Sequence, residues 1–378
     1  MNKVYVRGYS VLNALGNDIS DFTDALKEGR SAVRRVEDVA FGPEPFWAAP
    51  VPASVRAGIA ARYSAVTPHW TEQMLLHTAD ALKSSLPVPL HHKDVVVLLS
   101  STKGNIDTLG QEGERAALYR LGEILQAYYG LDYIPKVYST ACISGLVAII
   151  TASRWLQAGR YKYAVVIGAD AFTPFVYKGF QSFQAIGNGP CRPFDRDRKG
   201  INLGECAAGI VLSSVPGPDA GSQVVIAGGG LSNDANHLSG PSRTGQELAD
   251  AIGAALQEAS LPPGEVAAVS AHGTATVYND EMEAKAMHLA GVQAAPVYSL
   301  KSYIGHTLGA AGIVETITGI RLLEAGLLLP SLHYEACGTS LPLQVSTEYR
   351  AYPHTNFLKT ASGFGGCNAA LVVRKAPF

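Results

Sequence analysis

The feature that most constrains the fold of this chain is a weak internal repeat of strand, turn and helix. Residues 137–139 (Val-Tyr-Ser) lead into a helix-like segment ending at Gly159, and residues 297–299 (Val-Tyr-Ser) lead into one ending at Gly326. Two further pairs match in the same order: 204–212 with 363–373, and 3–15 with 224–236. Such echoes also occur in α/β proteins without a duplication. Their common order nevertheless predicts two similar halves, 1–215 and 222–378, joined by the Pro/Gly-rich segment 216–221.

Alternating strand and helix patterns along the chain predict an α/β fold with largely parallel sheets. The predicted strands are residues 3–6, 95–99, 136–139, 164–167, 207–212, 224–227, 266–270, 297–300 and 369–373. The predicted helices are residues 19–28, 71–84, 112–129, 143–156, 245–259, 281–290 and 310–325. If the halves are related by a pseudo-twofold axis, equivalent helix N-termini meet at the centre of the molecule.

The composition excludes several classes of function. The 378 residues are 47% hydrophobic and 16% charged, which predicts a large buried core. No apolar run reaches the roughly 18 residues of a membrane helix, and no basic-then-apolar leader opens the chain. The net charge of −2 gives no indication of bulk nucleic-acid binding. Five scattered cysteines without CxxC spacing predict free thiols in a reducing compartment, and therefore a cytoplasmic protein.

Cys142 is the strongest candidate for a catalytic residue. It lies where a short strand turns into a predicted apolar helix, at the positive end of the helix dipole, which favours the thiolate over the thiol. A lone cysteine in an apolar stretch is more often a small core residue. Two polar loops support the catalytic reading, because each follows a short apolar strand: one carries His272, and the other carries Lys301 and His306. A thiol, two imidazoles and an ammonium predict nucleophilic catalysis on a carbonyl group.

Several motifs in this order resemble the β-ketoacyl-[acyl-carrier-protein] synthases, the condensing enzymes of the thiolase-like superfamily. The motifs are Thr140-Ala141-Cys142 with Gly145, the run 192–198 (RPFDRDR), Gly204-Glu205, the run 272–276 (HGTAT), the run 301–312 (KSYIGHTLGAAG) and the run 363–368 (GFGGCN). The resemblance implies the thiolase-like fold, in which two pseudo-symmetric α/β halves form a layered α-β-α-β-α sandwich. It also implies a decarboxylative Claisen condensation of a Cys-bound acyl group with malonyl-ACP, in fatty-acid, polyene or polyketide synthesis.

The same resemblance assigns roles to individual residues. Cys142 would carry the acyl group, while His272 and His306 would donate hydrogen bonds to the developing enolate. The backbone N–H groups of Cys142 and Phe364 would form a second oxyanion hole, and Phe364, between glycines, would act as a gate. The remaining implied residues are Lys301 as a buried ammonium, Glu315 as its counter-ion, Glu283 as a supporting acid, and Thr274 and Thr276 as ligands of the pantetheine arm.

The resemblance also implies partners and substrates. No bound cofactor is expected, because the substrates travel on the phosphopantetheine arm of acyl carrier protein. We expect a homodimer, or a heterodimer with a homologous ketosynthase-like subunit, and no nucleic-acid or membrane partner. Arg56 and Arg62, in a predicted exposed segment, are candidate contacts for the acidic carrier. Arg196, Arg198 and Lys199 alternate with acidic residues, so internal pairing is expected for them.

Four alternatives remain open at this stage. A thiolase or CoA-dependent acyltransferase shares the fold, but usually replaces one histidine by a second cysteine. A non-catalytic chain-length partner subunit typically lacks the nucleophile that Cys142 provides. A cysteine hydrolase needs one imidazole as a base and access for water. A zinc site built from Cys142, His272 and His306 is opposed by the nearby cation of Lys301.

Overall fold

The computed structural model describes residues 2–111, 113–217, 223–236 and 240–376. Their strands are β1 (Val4–Asn13), β2 (Arg34–Val36), β3 (Phe46–Ala49), β4 (Val95–Ser100), β5 (Lys136–Tyr138), β6 (Tyr163–Asp170), β7 (Leu203–Gly204), β8 (Cys206–Ser213), β9 (Val224–Asn233), β10 (Val269–Ser270), β11 (Pro296–Tyr298), β12 (Leu327–Leu328), β13 (Gln344–Val345), β14 (Arg350–Ala351), β15 (Asn356–Gly363) and β16 (Cys367–Lys375). Their α-helices are α1 (Ile19–Lys27), α2 (Ala53–Tyr63), α3 (Trp70–Leu82), α4 (Arg120–Tyr129), α5 (Ser144–Gln157), α6 (Pro174–Ser182), α7 (Gln246–Ala259), α8 (Val277–Leu289), α9 (Lys301–Ile304) and α10 (Ala311–Ala325).

One sheet of eleven strands, in the order β13-β11-β10-β15-β16-β9-β1-β8-β6-β4-β5, organises the described residues. A short antiparallel contact between β1 and β9 joins its two parts. Outward from that contact, β1-β8-β6-β4-β5 on one side corresponds to β9-β16-β15-β10-β11 on the other. In each part, the first two strand pairings outward from the contact are antiparallel and the next two are parallel. This repetition supports the proposal of two related halves at 1–215 and 222–378.

Alternating side chains place the two parts of the sheet on opposite sides of a central helical layer. In β4, Val96 and Leu98 belong to the central core, whereas Val97 and Leu99 face the opposite side, against α3. Helices α5 and α10 contact each other and strands of both halves, while α7 covers the outer face of β9 and β16. The order of layers is therefore α3, strands, α5 with α10, strands, and α7. This is the α-β-α-β-α arrangement that the sequence predicted.

Two glycines allow the central helices to approach closely. A Cβ on Gly145 would lie 3.0 Å from the carbonyl oxygen of Gly309, and a Cβ on Gly312 would lie 2.7 Å from the backbone nitrogen of Leu146. The first turns of α5 and α10 are therefore in near backbone contact. Because Cys142 immediately precedes α5 and the His306 loop precedes α10, this contact brings the two loops together.

The nine predicted strands are found, as β1, β4, β5, β6, β8, β9, β10, β11 and β16. The helix predicted over 112–129 is different: a 3₁₀ turn at Gly113–Ala116 precedes α4, and i+3 hydrogen bonds link residues 117–122. Helices α2 and α6 and strand β15 were not predicted. The predicted linker 216–221 falls largely outside the described residues.

Among the described residues, no helix combines the length and the apolar character needed to cross a bilayer.

Candidate active site

A cavity of about 300 Å³ lies between the two halves and opens to the surface. Its wall includes side chains from both central loops, from the β15–β16 hairpin and from the segment after α6. Its lining residues include Cys142, Phe180, Phe183, Lys199, Ile201, His272, Thr274, Thr276, Tyr278, His306 and Phe364. The Sγ of Cys142 and one ring nitrogen each of His272 and His306 lie within 4.8 Å of one another. The structure thus brings together the thiol and the two imidazoles singled out from the sequence.

Cys142 lies on a tight elbow between β5 and α5. The preceding Ala141 has φ +47°, a left-handed conformation that is uncommon for a residue with a side chain. The Ser144 hydroxyl accepts the backbone N–H of Thr140 at 2.9 Å, which ties the strand end to the first helical turn. The elbow therefore holds Cys142 at the floor of the cavity, in front of the N-terminus of α5.

The electrostatics of Cys142 differ from the sequence-based expectation of a lowered pKa. Burial raises the pKa of its thiol to about 12, and the Lys301 ammonium and the backbone N–H of Phe364 oppose that rise only in part. The expectation considered the helix N-terminus alone, whereas loss of hydration of the thiolate dominates in this closed site. Cys142 is therefore a neutral thiol at rest.

Glu283 holds the backbone of His272, and Lys301 orients its ring. Glu283 accepts the backbone N–H groups of His272 at 2.7 Å and Gly273 at 2.8 Å. The Lys301 Nζ lies 3.3 Å from Nδ1 of His272. An ammonium group only donates, so Nδ1 must accept and the ring proton must be on Nε2. His272 is therefore a hydrogen-bond donor through Nε2.

His306 follows α9 and Gly305. Its backbone N–H donates to Asn202 at 2.7 Å, and its ring lies perpendicular to that of His272, with centroids 5.3 Å apart. Among the described residues, neither ring nitrogen of His306 has a hydrogen-bond partner, although the side chain is buried. A buried polar group without a protein partner at a cavity wall is suited to contact a substrate.

Both imidazoles are neutral at neutral pH. Burial, followed by the positive charge of Lys301, lowers the pKa of His272 well below its usual value, and His306 and Lys359 add to the effect. The same causes, burial, Lys301 and Lys359, lower the pKa of His306. Each neutral imidazole carries one ring N–H, which can donate a hydrogen bond to an oxyanion, and its lowered pKa makes it a weak base towards Cys142.

A buried ion cluster lies behind the two histidines. Lys301 Nζ donates to Glu315 Oε1 at 2.7 Å and to the carbonyl oxygen of His272 at 2.6 Å. The other Glu315 oxygen is paired with Lys359 at 2.7 Å, a residue that the sequence analysis did not single out. Lys301, Glu315, Lys359 and Glu283 are all buried. The predicted counter-ion is therefore shared between two ammonium groups.

Thr274 and Thr276 lie on the cavity wall near its exposed residues Val277 and Tyr278. Their hydroxyl groups are 2.8 Å apart. The buried Asp280 accepts the backbone N–H of Thr274 at 3.0 Å, and burial raises the pKa of its carboxyl to about 7. Two adjacent hydroxyls at the cavity entrance can bind a polar, amide-containing chain.

Phe364 lies across the cavity from the histidines, on the turn between β15 and β16. Its ring contacts those of Phe180 and Phe183, at centroid distances of 5.4 and 5.3 Å. The next residue, Gly365, has φ +86°, a conformation that glycine adopts at little cost and that other residues rarely adopt. A Cβ on Gly363 would lie 3.0 Å from the backbone nitrogen of Cys142, so this glycine lets the hairpin reach the elbow.

Cys142, His272 and His306 have the ligand types of a zinc site, and the geometry alone would accommodate an ion. The ammonium groups of Lys301 and Lys359 lie in the adjoining cluster, and Lys301 already occupies Nδ1 of His272. Both features oppose a dication. The chemistry of this donor set therefore does not fit a resident metal.

The basic residues considered for carrier docking have internal partners. Arg56 lies on α2, pairs with the fully buried Glu205 at 2.8 Å and stacks over Trp70. Arg62 pairs with Asp80 at 2.9 Å. Arg198 is buried beside Asp280, as its predicted internal pairing requires. Lys199 is exposed at the cavity wall, and sequence reasoning had grouped it with the paired residues.

Comparisons with known proteins agree with this geometry. The β-ketoacyl synthase N-terminal domain matches residues 129–216, and the β-ketoacyl synthase C-terminal domain matches residues 223–335. Together these matches cover just over half of the chain. The fold and site define a ketosynthase of the thiolase-like class. The chain belongs to the β-ketoacyl synthase family, whose members are acyltransferases.

Individual relatives extend the comparison. Nodulation protein E of Rhizobium leguminosarum bv. trifolii is 34% identical over 244 residues, which are 63% of this chain and 60% of that protein. The ketoacyl synthase alpha subunit of the tetracenomycin polyketide synthase from Streptomyces glaucescens is 27% identical over 99% of this chain and 97% of its own. A chain of the complex between a ketosynthase and its chain length factor from Xenorhabdus doucetiae superposes with a TM-score of 0.88, at 25% identity, over 99% of this chain and 98% of that chain.

Proposed function

We propose that this protein condenses a Cys142-bound acyl group with malonyl-ACP, with loss of carbon dioxide, in fatty-acid, polyene or polyketide synthesis. The observation that supports it most directly is the meeting of the Cys142 thiol with two neutral imidazoles in one cavity. A hydrolase would need one imidazole as a base paired with the thiol. Here Lys301 orients His272 as a donor through Nε2, and neither ring nitrogen of His306 has a partner among the described residues, so both rings can face a developing enolate.

The first half-reaction loads the acyl group. The Sγ of Cys142 attacks the carbonyl carbon of an acyl thioester, and the thiol of the carrier leaves with the proton that Cys142 gives up. Thioester exchange is nearly isoenergetic, and a sulfur nucleophile suits it. The backbone N–H groups of Cys142 and Phe364 would bind the oxyanion of the tetrahedral intermediate, and movement of Phe364 would admit the second substrate.

The second half-reaction forms the carbon–carbon bond. The malonyl carboxylate leaves as carbon dioxide, and its electron pair passes to the thioester oxygen, where His272 Nε2–H and His306 donate hydrogen bonds. The enolate carbon then attacks the acyl carbonyl carbon on Cys142, and the Cys142 thiolate leaves and takes up a proton. Lys301 and Glu283 contact the His272 loop, Glu315 pairs with Lys301, and none of the three lines the cavity, so their role would be to hold His272 in place.

The substrates would arrive on the phosphopantetheine arm of acyl carrier protein, with Thr274 and Thr276 binding the arm, and no bound cofactor is needed. The free cysteines, including the exposed Cys337, support a cytoplasmic location. Strand β5 is the edge of the sheet, with Ile134 exposed nearby. An uncovered edge of this kind supports the expected dimer, with itself or with a homologous subunit like the chain length factor of the Xenorhabdus complex.

Two other functions make different predictions. A CoA-dependent acyltransferase on this fold would accept acyl-CoA as readily as an acyl carrier. A chain-length partner subunit would not be acylated at all, and the presence of Cys142 at the cavity floor opposes that reading.

Mass spectrometry after incubation with acyl-ACP and acyl-CoA of graded chain lengths tests the proposal. We expect one acyl group on the peptide containing Cys142, and Cys142→Ala should lower loading by more than about 10³-fold. Cys337→Ala, at an exposed thiol away from the cavity, is the control and should load normally. Acylation of another cysteine, or none with any acyl donor, would contradict the proposed role.

A further inference from the structure

Lys359 is a buried lysine in the middle of β15. The strand around it is almost entirely buried, and Lys359 itself has no exposed surface. It lies beside Ser270 in the parallel ladder between β10 and β15, at the point where β10 ends and the His272 loop begins. A charge at such a position is costly unless oxygen atoms surround it.

The surroundings of Lys359 consist of acceptors. Its Nζ lies 2.7 Å from Glu315 Oε2, 2.6 Å from the carbonyl oxygen of Thr360, 3.0 Å from that of Ser270 and 3.3 Å from that of Ala271. The three carbonyl oxygens accept its hydrogen bonds and Glu315 pairs with its charge, so these contacts favour the ammonium form. Burial lowers the pKa of Lys359, and the charge of Glu315 opposes that effect. Ser270 and Ala271 are the two residues before His272, so Lys359 fixes the strand end that carries the imidazole.

Lys359 also sets the charge of the cluster behind the histidines. Lys301 and Lys359 each pair with one oxygen of Glu315. Glu283 also faces Lys359 and adds a second negative charge, and its oxygens accept the backbone N–H groups of His272 and Gly273 and the Thr360 hydroxyl. Lys359 therefore supplies positive charge that Lys301 alone does not.

Two further titratable groups among the described residues, Tyr298 and Cys206, face Glu315. Burial raises the pKa of both, so they remain neutral at neutral pH. Removing Lys359 would therefore lower the net charge of the cluster by one positive charge. Since a nearby positive charge disfavours a second one, the imidazoles of His272 and His306 would then protonate more easily.

We propose that Lys359 is a positioning residue of this site: through its ion pair with Glu315 and its bonds to the strand end before His272, it keeps His272 and His306 as neutral hydrogen-bond donors. The inference rests on the proposed function, because neutral donors matter to a reaction that develops an enolate. A lysine with a purely structural role would stabilise the fold without influencing how the imidazoles titrate.

The test compares the pH dependence of malonyl-thioester decarboxylation in four forms of the full-length protein. Lys359→Met removes one charge, and the double variant Lys359→Met with Glu315→Gln restores the net charge of the cluster without the second lysine. Lys375→Met, on the neighbouring strand and away from the site, is the control. We expect Lys359→Met to move the acid limb up by about one pH unit. The double variant should move it back, and Lys375→Met should keep the acid limb of the parent protein.

An unchanged acid limb in Lys359→Met, or a shift that the double variant does not reverse, would overturn the proposal. Lys359→Gln keeps N–H donors but loses the charge, so it replaces Lys359→Met if that variant does not fold. NMR titration of isotope-labelled histidine rings in the same proteins does not depend on activity. It therefore decides the role of Lys359 even if the parent protein fails to decarboxylate malonyl thioesters, a result that would count against the proposed function alone.

Discussion

The junctions before the two central helices differ in length on an otherwise repeated scaffold. Between β5 and α5 there are five residues, 139–143, whereas between β11 and α10 there are twelve, 299–310. The short junction has room for one strained residue, Ala141, and the nucleophile after it. The long junction contains α9, with Lys301, and then His306.

Junction length therefore decides what each half can contribute. Five residues can present one side chain rigidly, which suits a nucleophile that must reach a thioester. Twelve residues can form a separate helical turn, which points an ammonium inward towards Glu315 and an imidazole into the cavity. The two halves are similar in strand order and unequal in chemistry.

The loops after β4 and β10, which occupy equivalent places in the two halves, also differ in what they contribute to the site. At the end of β4, the N–H of Thr102 donates to the buried Asp170 at 2.9 Å, and Asp170 also accepts the N–H of Gly309 at 2.7 Å. At the end of β10, Glu283 accepts the N–H groups of His272 and Gly273. A buried carboxylate fixes the loop in each half. In the first half it ties the end of β4 to the long junction, and in the second it holds the loop of His272.

The largest effect that tests this division is His306→Ala. If the long junction serves the enolate and the short one serves acyl loading, this variant should lose decarboxylation by about 10²–10³-fold. It should still acquire an acyl group on Cys142. Release of carbon dioxide from a malonyl thioester and intact-mass analysis of the acylated protein measure the two half-reactions separately.

His288→Ala is the matched control, because its ring bonds the carbonyl oxygen of Pro342 outside the cavity. It should leave both half-reactions unchanged. Normal decarboxylation by His306→Ala, or equal loss of both half-reactions, would remove the distinction between the junctions.

A smaller effect is expected where the junctions meet. Gly312→Val places side-chain atoms against the backbone of Leu146, so the first turns of α5 and α10 must separate. We expect a loss of about 1–3 kcal/mol in the free energy of unfolding, together with slower condensation, because Cys142 and the His306 loop move apart. Chemical denaturation and the rate of condensation with a malonyl thioester measure the two effects.

Gly253→Ala provides the control in a helix without a close neighbour. No atom lies within 4 Å of a Cβ at that position of α7, so the change should stabilise the protein by up to about 1 kcal/mol. If Gly312→Val is as stable and active as the parent protein, close contact of the two helix starts is not what assembles the site.

The sequence predicted the fold, and it singled out Cys142, His272 and His306, which the structure brings together, because both leave local signals. Strands β4 and β8 are apolar runs, and Cys142, His272 and His306 lie near glycines after such strands. Lys359 was missed because a lysine in a strand usually indicates a solvent-facing position. Only its tertiary contacts, with Glu315 and three carbonyl oxygens, show that it belongs to the site.

The charge state that the sequence predicted for Cys142 was wrong for a related reason. Position before a helix is visible in the sequence, whereas the depth of the cavity depends on how both halves pack. Arg56 was predicted to lie in an exposed segment, but it lies on helix α2, which was not predicted. Its ion pair with Glu205 joins residues far apart in the chain and leaves no local signal. Properties that depend on long-range burial were the ones that sequence patterns could not supply.

The smallest expected effects concern whether the first half also binds the carrier. Arg56→Met breaks an ion pair with a fully buried carboxylate, although three other donors still reach Glu205, so we expect a loss of about 1–2 kcal/mol in unfolding free energy. Activity with carrier-bound and small-thioester substrates should fall equally. Arg62→Met breaks an exposed pair with Asp80 and should change stability by less than about 1 kcal/mol.

The two arginines therefore give a matched test on one helix. If Arg62 contacts an acidic carrier, Arg62→Glu should raise KM several-fold for the carrier-bound substrate alone, and added salt should reduce the difference because it screens the attraction. An equal KM for both substrates would exclude Arg62 as a docking residue. It would leave the exposed Lys199, at the cavity wall, as the next cation to reverse.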